Sequence, residues 1–126
     1  MTCLRCPGEL RPTGRAAAVA FLECPACGRR YAQEDGGPLT ERWTGPLSLT
    51  LYGVIFTDRP QDPECVRRQA GSLGHLDVDA LVREIRRELA DPTQPVAAIL
   101  PGMRATEADL REYLRLLADE LETGPD

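Results

Sequence analysis

Four cysteines constrain this chain more than any other feature. Cys3-Leu4-Arg5-Cys6 is followed, seventeen residues later, by Cys24-Pro25-Ala26-Cys27. A two-residue gap closes a tight turn in which both sulfurs reach one ion, and two such turns supply the four corners of a tetrahedron. The spacing therefore predicts a metal centre of Cys3, Cys6, Cys24 and Cys27 holding one Zn2+. Four thiolates fill its coordination sphere, so the ion is expected to be structural rather than catalytic, because a catalytic zinc keeps a position open. A redox dithiol at Cys24 and Cys27 explains the pattern less well, since it needs no second pair.

Residues 1–35 resemble a zinc ribbon. The second pair and its flank, Cys24-Pro25-Ala26-Cys27-Gly28-Arg29-Arg30-Tyr31, match that family's common second knuckle. The resemblance implies a three-stranded antiparallel fold with a strand from Ala17 to Glu23, another from Arg30 to Gln33, and a turn at Arg11-Pro12-Thr13-Gly14. It implies metal binding but selects no function, because ribbons serve as nucleic-acid readers, adaptors and stabilisers. Gly28 is suited to a positive φ that turns backbone N–H groups toward the sulfurs. The first knuckle departs from the family pattern: Pro7 follows it where Gly is usual, and Pro has no N–H to offer a thiolate.

The rest of the 126-residue chain has another character. Asp35-Gly36-Gly37-Pro38 is a turn cluster, and residues 36–45 form a connector containing Trp43. From residue 46 to 126 the sequence predicts a mostly helical domain with one leading strand, Leu47–Phe56, where apolar residues alternate and then run together. Asp62-Pro63-Glu64 reads as the start of a helix to about Ala70, with Asp62 as its capping side chain and Gly71 as its stop. Asp77 caps a second helix whose stripe is Val78, Leu81, Val82, Ile85 and Leu89. Val96–Leu100 is a short helical turn. Thr106 caps a last helix with the stripe Leu110, Tyr113, Leu114, Leu117 and Leu121, and Asp109 stands in for the acid of a capping box. The expected class is α+β: an N-terminal antiparallel zinc ribbon, then a strand and about three helices. A lone strand needs a neighbour, which makes a homodimer one expectation.

Charge narrows the function. Residues 1–45 hold six Arg against five acids, net +1, whereas residues 46–126 hold nine Arg against fifteen acids, net -6. An acidic body opposes nucleic-acid binding, which rests on neutralising phosphates. The leading expectation is thus a non-enzymatic adaptor or accessory protein that contacts another protein. The alternative is a nucleic-acid-binding ribbon using Arg11, Arg15, Arg29, Arg30 and Tyr31, with Tyr31 stacking on a base. Against it stands a plain solvated surface with Tyr31 packed on its own strands. Trp43 is a candidate either for docking the ribbon onto the helical part or for anchoring a partner.

No catalytic constellation emerges. Cys65 reads as an inert buried thiol, and the only His, His75, lies in a Gly-rich loop with no orienting acid to make a Cys–His unit. No apolar run of 18 residues is present to span a membrane. The N-terminus lacks the basic and apolar regions of a secretion signal. A cytoplasmic location is the expectation, where closely spaced thiols hold metal more often than they form disulfides.

Overall fold

The computed structural model describes residues 1–123 and divides into two compact units, Met1–Thr44 and a second beginning at Gly45. The class is α+β: a four-stranded antiparallel sheet followed by four α-helices.

In the first unit β1 (Arg11–Ala16), β2 (Val19–Glu23), β3 (Arg30–Glu34) and β4 (Leu39–Arg42) form a meander in the order β1-β2-β3-β4. Two expectations change here. Residues 11–14 are part of β1 and not a turn; the chain reverses at Ala17, which takes a φ of 53°. Pro12 is tolerated because β1 is an edge strand, and the pairing slips between Pro12 and Gly14. Residues 39–42, read as connector, form β4 and pair with β3, so the sheet has a fourth strand. The buried cluster of this unit is small: Cys3, Leu10, Leu22, Cys24 and Tyr31, with Cys6, Cys27 and Leu39 packed against it. Half of that cluster is metal-ligand candidates, so the site is also the core.

The second unit contains α1 (Gly45–Tyr52), α2 (Pro63–Ser72), α3 (Val78–Ala90), a 3-10 turn (Val96–Ala98) and α4 (Glu107–Thr123). The leading strand expected over Leu47–Phe56 is instead α1 and the turn after it. Its buried positions are Leu47, Thr50, Leu51 and Val54, a step of three and four that belongs to a helix. The apparent alternation of Leu47, Leu49 and Leu51 misleads because Thr50, not Leu49, points inward. Thr50 is satisfied there: its hydroxyl donates to the Leu47 carbonyl at 2.7 Å, and its own carbonyl accepts from the buried Tyr113 hydroxyl. With no strand at 47–56, the argument for a homodimer loses its basis.

The other helices begin close to where their caps predict. Asp77 accepts from Ala80 N at 3.1 Å, and Thr106 Oγ1 accepts from Asp109 N at 3.2 Å. Asp62 sits at the N-cap of α2 but makes no side-chain cap; its carboxylate pairs with Arg59 at 3.2 Å. Gly71 does not stop α2, which runs on to Ser72. α4 is the central helix, packed on α2, α3 and the 3-10 turn, and Leu110, Tyr113, Leu114 and Leu117 are fully buried along it. Two acids hold the irregular stretch between α3 and α4. Buried Glu88 accepts from the Thr93 N–H and hydroxyl at 2.7 and 2.6 Å. Glu107 accepts from Val96 and Ala97 N–H, both at 2.9 Å, supplying the acceptor that the start of the 3-10 turn lacks. Among the described residues, no helix is long and apolar enough to cross a membrane.

Candidate metal centre

The second knuckle joins β2 to β3. Cys24 N donates to the Arg29 carbonyl at 2.9 Å and Gly28 N to the Cys24 carbonyl at 2.7 Å, closing a loop that needs Gly28 at φ 79°. The first knuckle precedes β1 and is pinned by Cys3 N donating to the Gly8 carbonyl at 2.9 Å and by a bridge between Thr2 and Glu9.

Together the knuckles bring all four sulfurs within 4.8 Å of one another. Cys3 and Cys27 sulfurs lie 3.7 Å apart, and Cys6 and Cys24 sulfurs 3.4 Å. A tetrahedral Zn2+ with bonds of about 2.3 Å separates its sulfurs by about 3.8 Å. A disulfide would bring them to about 2.05 Å, and these four cysteines form none. The four side chains fit one ion.

The surroundings fit it as well. Arg5 N donates to Cys3 Sγ and Gly8 N to Cys6 Sγ, each at 3.4 Å. Gly8 stands where Arg29 stands in the second knuckle, so Pro7 costs the first knuckle no bond to sulfur; what it lacks is the counterpart of the Gly28 N–H bond to the Cys24 carbonyl. Gly8 also needs to be small: a Cβ there would lie 2.8 Å from Cys24 Sγ and 3.3 Å from Cys6 Sγ. In the second knuckle the Arg29 N–H bonds Cys27. Such outer bonds orient and tune metal ligands.

Protonation of the bare cluster tells the same story. Burial opposes ionisation of Cys3, yet bonds from the Tyr31 hydroxyl and the Arg5 and Cys6 N–H groups outweigh it and lower the thiol to about 6. Burial pushes Cys27 up to about 12, with Cys24 and Cys3 adding to it against the Arg29 N–H. At Cys6 the Gly8 N–H pulls downward, but neighbouring Cys24 and burial prevail and raise it. Thiolates this close repel one another, a repulsion that a cation among them relieves.

Comparison with protein-family models, with curated proteins and with solved structures returns no match. The site is therefore interpreted on its own geometry.

The remaining candidates separate sharply. Tyr31 is 1% exposed on β3, its hydroxyl 3.1 Å from Cys3 Sγ, so in this fold it offers no face to a base. Arg29 is 5% exposed and lies 3.6 Å from Glu41. Arg11 and Arg30 lie on the surface 4.0 and 3.9 Å from Glu23, and Arg15 pairs with Asp35 at 2.7 Å. Trp43 is buried, and no hydrogen bond satisfies its Nε1. Cys65 is buried, and burial raises its thiol, whereas His75 is exposed; no hydrogen bond joins the two.

Sequence reasoning missed Arg5 and Glu41 beside the centre. It also missed three exposed apolar side chains on the second unit, Leu49, Tyr52 and Phe56, which are 43%, 57% and 81% exposed. Leu49 and Tyr52 are three apart on α1, and Phe56 lies four residues further along the turn that continues it. Their signal was present as hydrophobic residues at helical spacing, but it was absorbed into the strand reading.

Proposed function

We propose that the chain is a non-enzymatic zinc-binding adaptor. The first unit, read as a zinc ribbon, is a module that one Zn2+ on Cys3, Cys6, Cys24 and Cys27 holds folded. The second unit carries the contact with a protein partner. The observation behind the adaptor reading is the exposure of Leu49, Tyr52 and Phe56. Large aromatic residues left in water on a small domain are a common mark of a binding surface. The unit carrying them holds nine Arg against fifteen acids, so the partner that fits best offers an apolar pocket with a basic rim. Four sulfur ligands leave a tetrahedral ion no place for substrate, which argues against zinc catalysis. Metal-held thiolates suit a reducing compartment such as the cytoplasm.

The test compares the tagged wild-type protein with Phe56→Asp, both captured from the host after nuclease treatment and analysed at low and high salt. Phe56 is so exposed that the substitution is expected to leave the helical signal and melting unchanged. The expected result is a stoichiometric protein recovered with the wild type, weakened by salt, and lost with Phe56→Asp. Recovery that depends on RNA or DNA overturns the reading in favour of the ribbon's arginines. A wild-type chain that self-associates through these side chains, losing its dimer in Phe56→Asp, assigns them to a second copy instead.

A further inference from the structure

Two arginines, one from each knuckle, converge on a single carboxylate beside the metal centre. Strands β3 and β4 are registered so that Tyr31 stands opposite Glu41, which puts both side chains on one face. The Glu41 side chain is 9% exposed. Arg5, inside the first Cys-x-x-Cys, donates from Nε to Glu41 Oε1 at 2.6 Å and from Nη2 to Oε2 at 3.4 Å. Arg29, two residues past the second pair, brings Nη1 to 3.6 Å from Oε2.

The Tyr31 hydroxyl lies between this cluster and the ligands, 3.1 Å from Cys3 Sγ and 3.4 Å from Glu41 Oε1. A phenol has one proton to give, so the two acceptors compete for it. Glu41 already accepts from the Arg5 guanidinium at 2.6 Å and is ion-paired with Arg29 at 3.6 Å, and a guanidinium binds a carboxylate more strongly than a neutral hydroxyl does. The sulfur is the nearer acceptor and, as a metal ligand, an anionic one. Four thiolates around a divalent ion carry a net charge of about -2, whereas the two guanidinium groups and Glu41 together carry +1, so the cluster beside the ligands offsets part of that charge.

We infer that Tyr31 is a positioning residue of the metal centre, donating its hydroxyl proton to Cys3 Sγ because Arg5 and Arg29 occupy Glu41. This rests on the metal-binding reading of the four cysteines. It gives β4, a strand without ligands, a part in setting metal affinity, since Glu41 belongs to it. It also gives a common role to two arginines at different knuckle positions, Arg5 inside the first pair and Arg29 beyond the second.

Cobalt substitution tests it. Co2+ added to the reduced, metal-free full chain reports ligand number and sulfur basicity through its visible and charge-transfer bands. Tyr31→Phe removes the proton while keeping the ring; the sulfur-to-cobalt band should move to lower energy and affinity should fall about 10- to 100-fold. Arg5→Met, at a surface side chain, vacates Glu41 Oε1, the oxygen 3.4 Å from the hydroxyl, while Arg29 stays on Oε2; Oε1 can then claim the hydroxyl, so the same band should move in the same direction. A purely structural role for the cluster would weaken binding without moving the band. Superimposable bands for wild type and Tyr31→Phe overturn the inference. If Tyr31→Phe does not fold, the Arg5→Met spectrum decides: shifted supports it, unchanged refutes it. Failure of the wild type to give a four-sulfur tetrahedral spectrum would refute the metal reading itself, which is a separate result.

Discussion

Replacing Cys24 with Ser should unfold the first unit and leave the second standing. Cys24 is fully buried and is both a ligand candidate and a member of the hydrophobic cluster in which Leu10, Leu22 and Tyr31 are its main non-ligand partners. A sheet with so small a core gains little from burial alone. A structural zinc supplies ~10–16 kcal/mol to modules of this size, so losing one ligand removes the largest stabilising contribution. Amide exchange read residue by residue should show protection lost across β1 to β4, with the zinc content falling, while the amides of α3 and α4 stay protected. Chelation of the wild type should produce the same map. Protection persisting in β2 and β3 of a zinc-free Cys24→Ser protein would mean that the metal is dispensable for this fold.

The second large effect belongs to the helical unit. Leu114 is fully buried on α4, the helix against which α2 and α3 pack. Leu114→Ala deletes three heavy atoms there and leaves a cavity, a change that costs about 2–5 kcal/mol. For a unit of this length each kcal/mol lowers the melting temperature by about 4–8 °C. Urea unfolding followed by helical circular dichroism should therefore show a clearly lower midpoint for Leu114→Ala. Leu49→Ala is the matched control: the same truncation on α1 at a 43% exposed position should change stability by no more than about 0.5 kcal/mol. Equal costs at the two positions would contradict the helical assignment of α1 and the burial pattern that supports it.

What was legible in the sequence was what is local. The Cys-x-x-Cys turns, the Asp77 and Thr106 caps and the α4 stripe each involve residues within a few positions of one another, and each appears where its spacing places it; of the α3 stripe Leu81, Val82 and Ile85 are buried, while Val78 and Leu89 are half-buried and Glu88 takes a buried place beside them. Segment 47–56 was misread because two periods overlap in it. Leu47, Leu49 and Leu51 satisfy a strand, whereas Leu47, Thr50, Leu51 and Val54 satisfy a helix, and a buried threonine hides the second pattern. Pro46 at the second helical position was the available signal for a helix start. β4 was hidden because four residues with two charges carry too little pattern to distinguish a short edge strand from a connector. The Arg5–Glu41 pair spans 36 residues, and only the register of β3 against β4 brings Glu41 to the metal centre. The position of Gly8 as donor to Cys6 likewise depends on how the chain turns after Pro7.

The most direct test of the account is X-ray absorption at the zinc edge of the reduced, zinc-loaded chain, with the metal quantified per protein. One Zn2+ per chain surrounded by four sulfurs at about 2.3 Å is the predicted result. Fewer than four sulfurs, nitrogen or oxygen completing the sphere, or a folded first unit that takes up no zinc would contradict it.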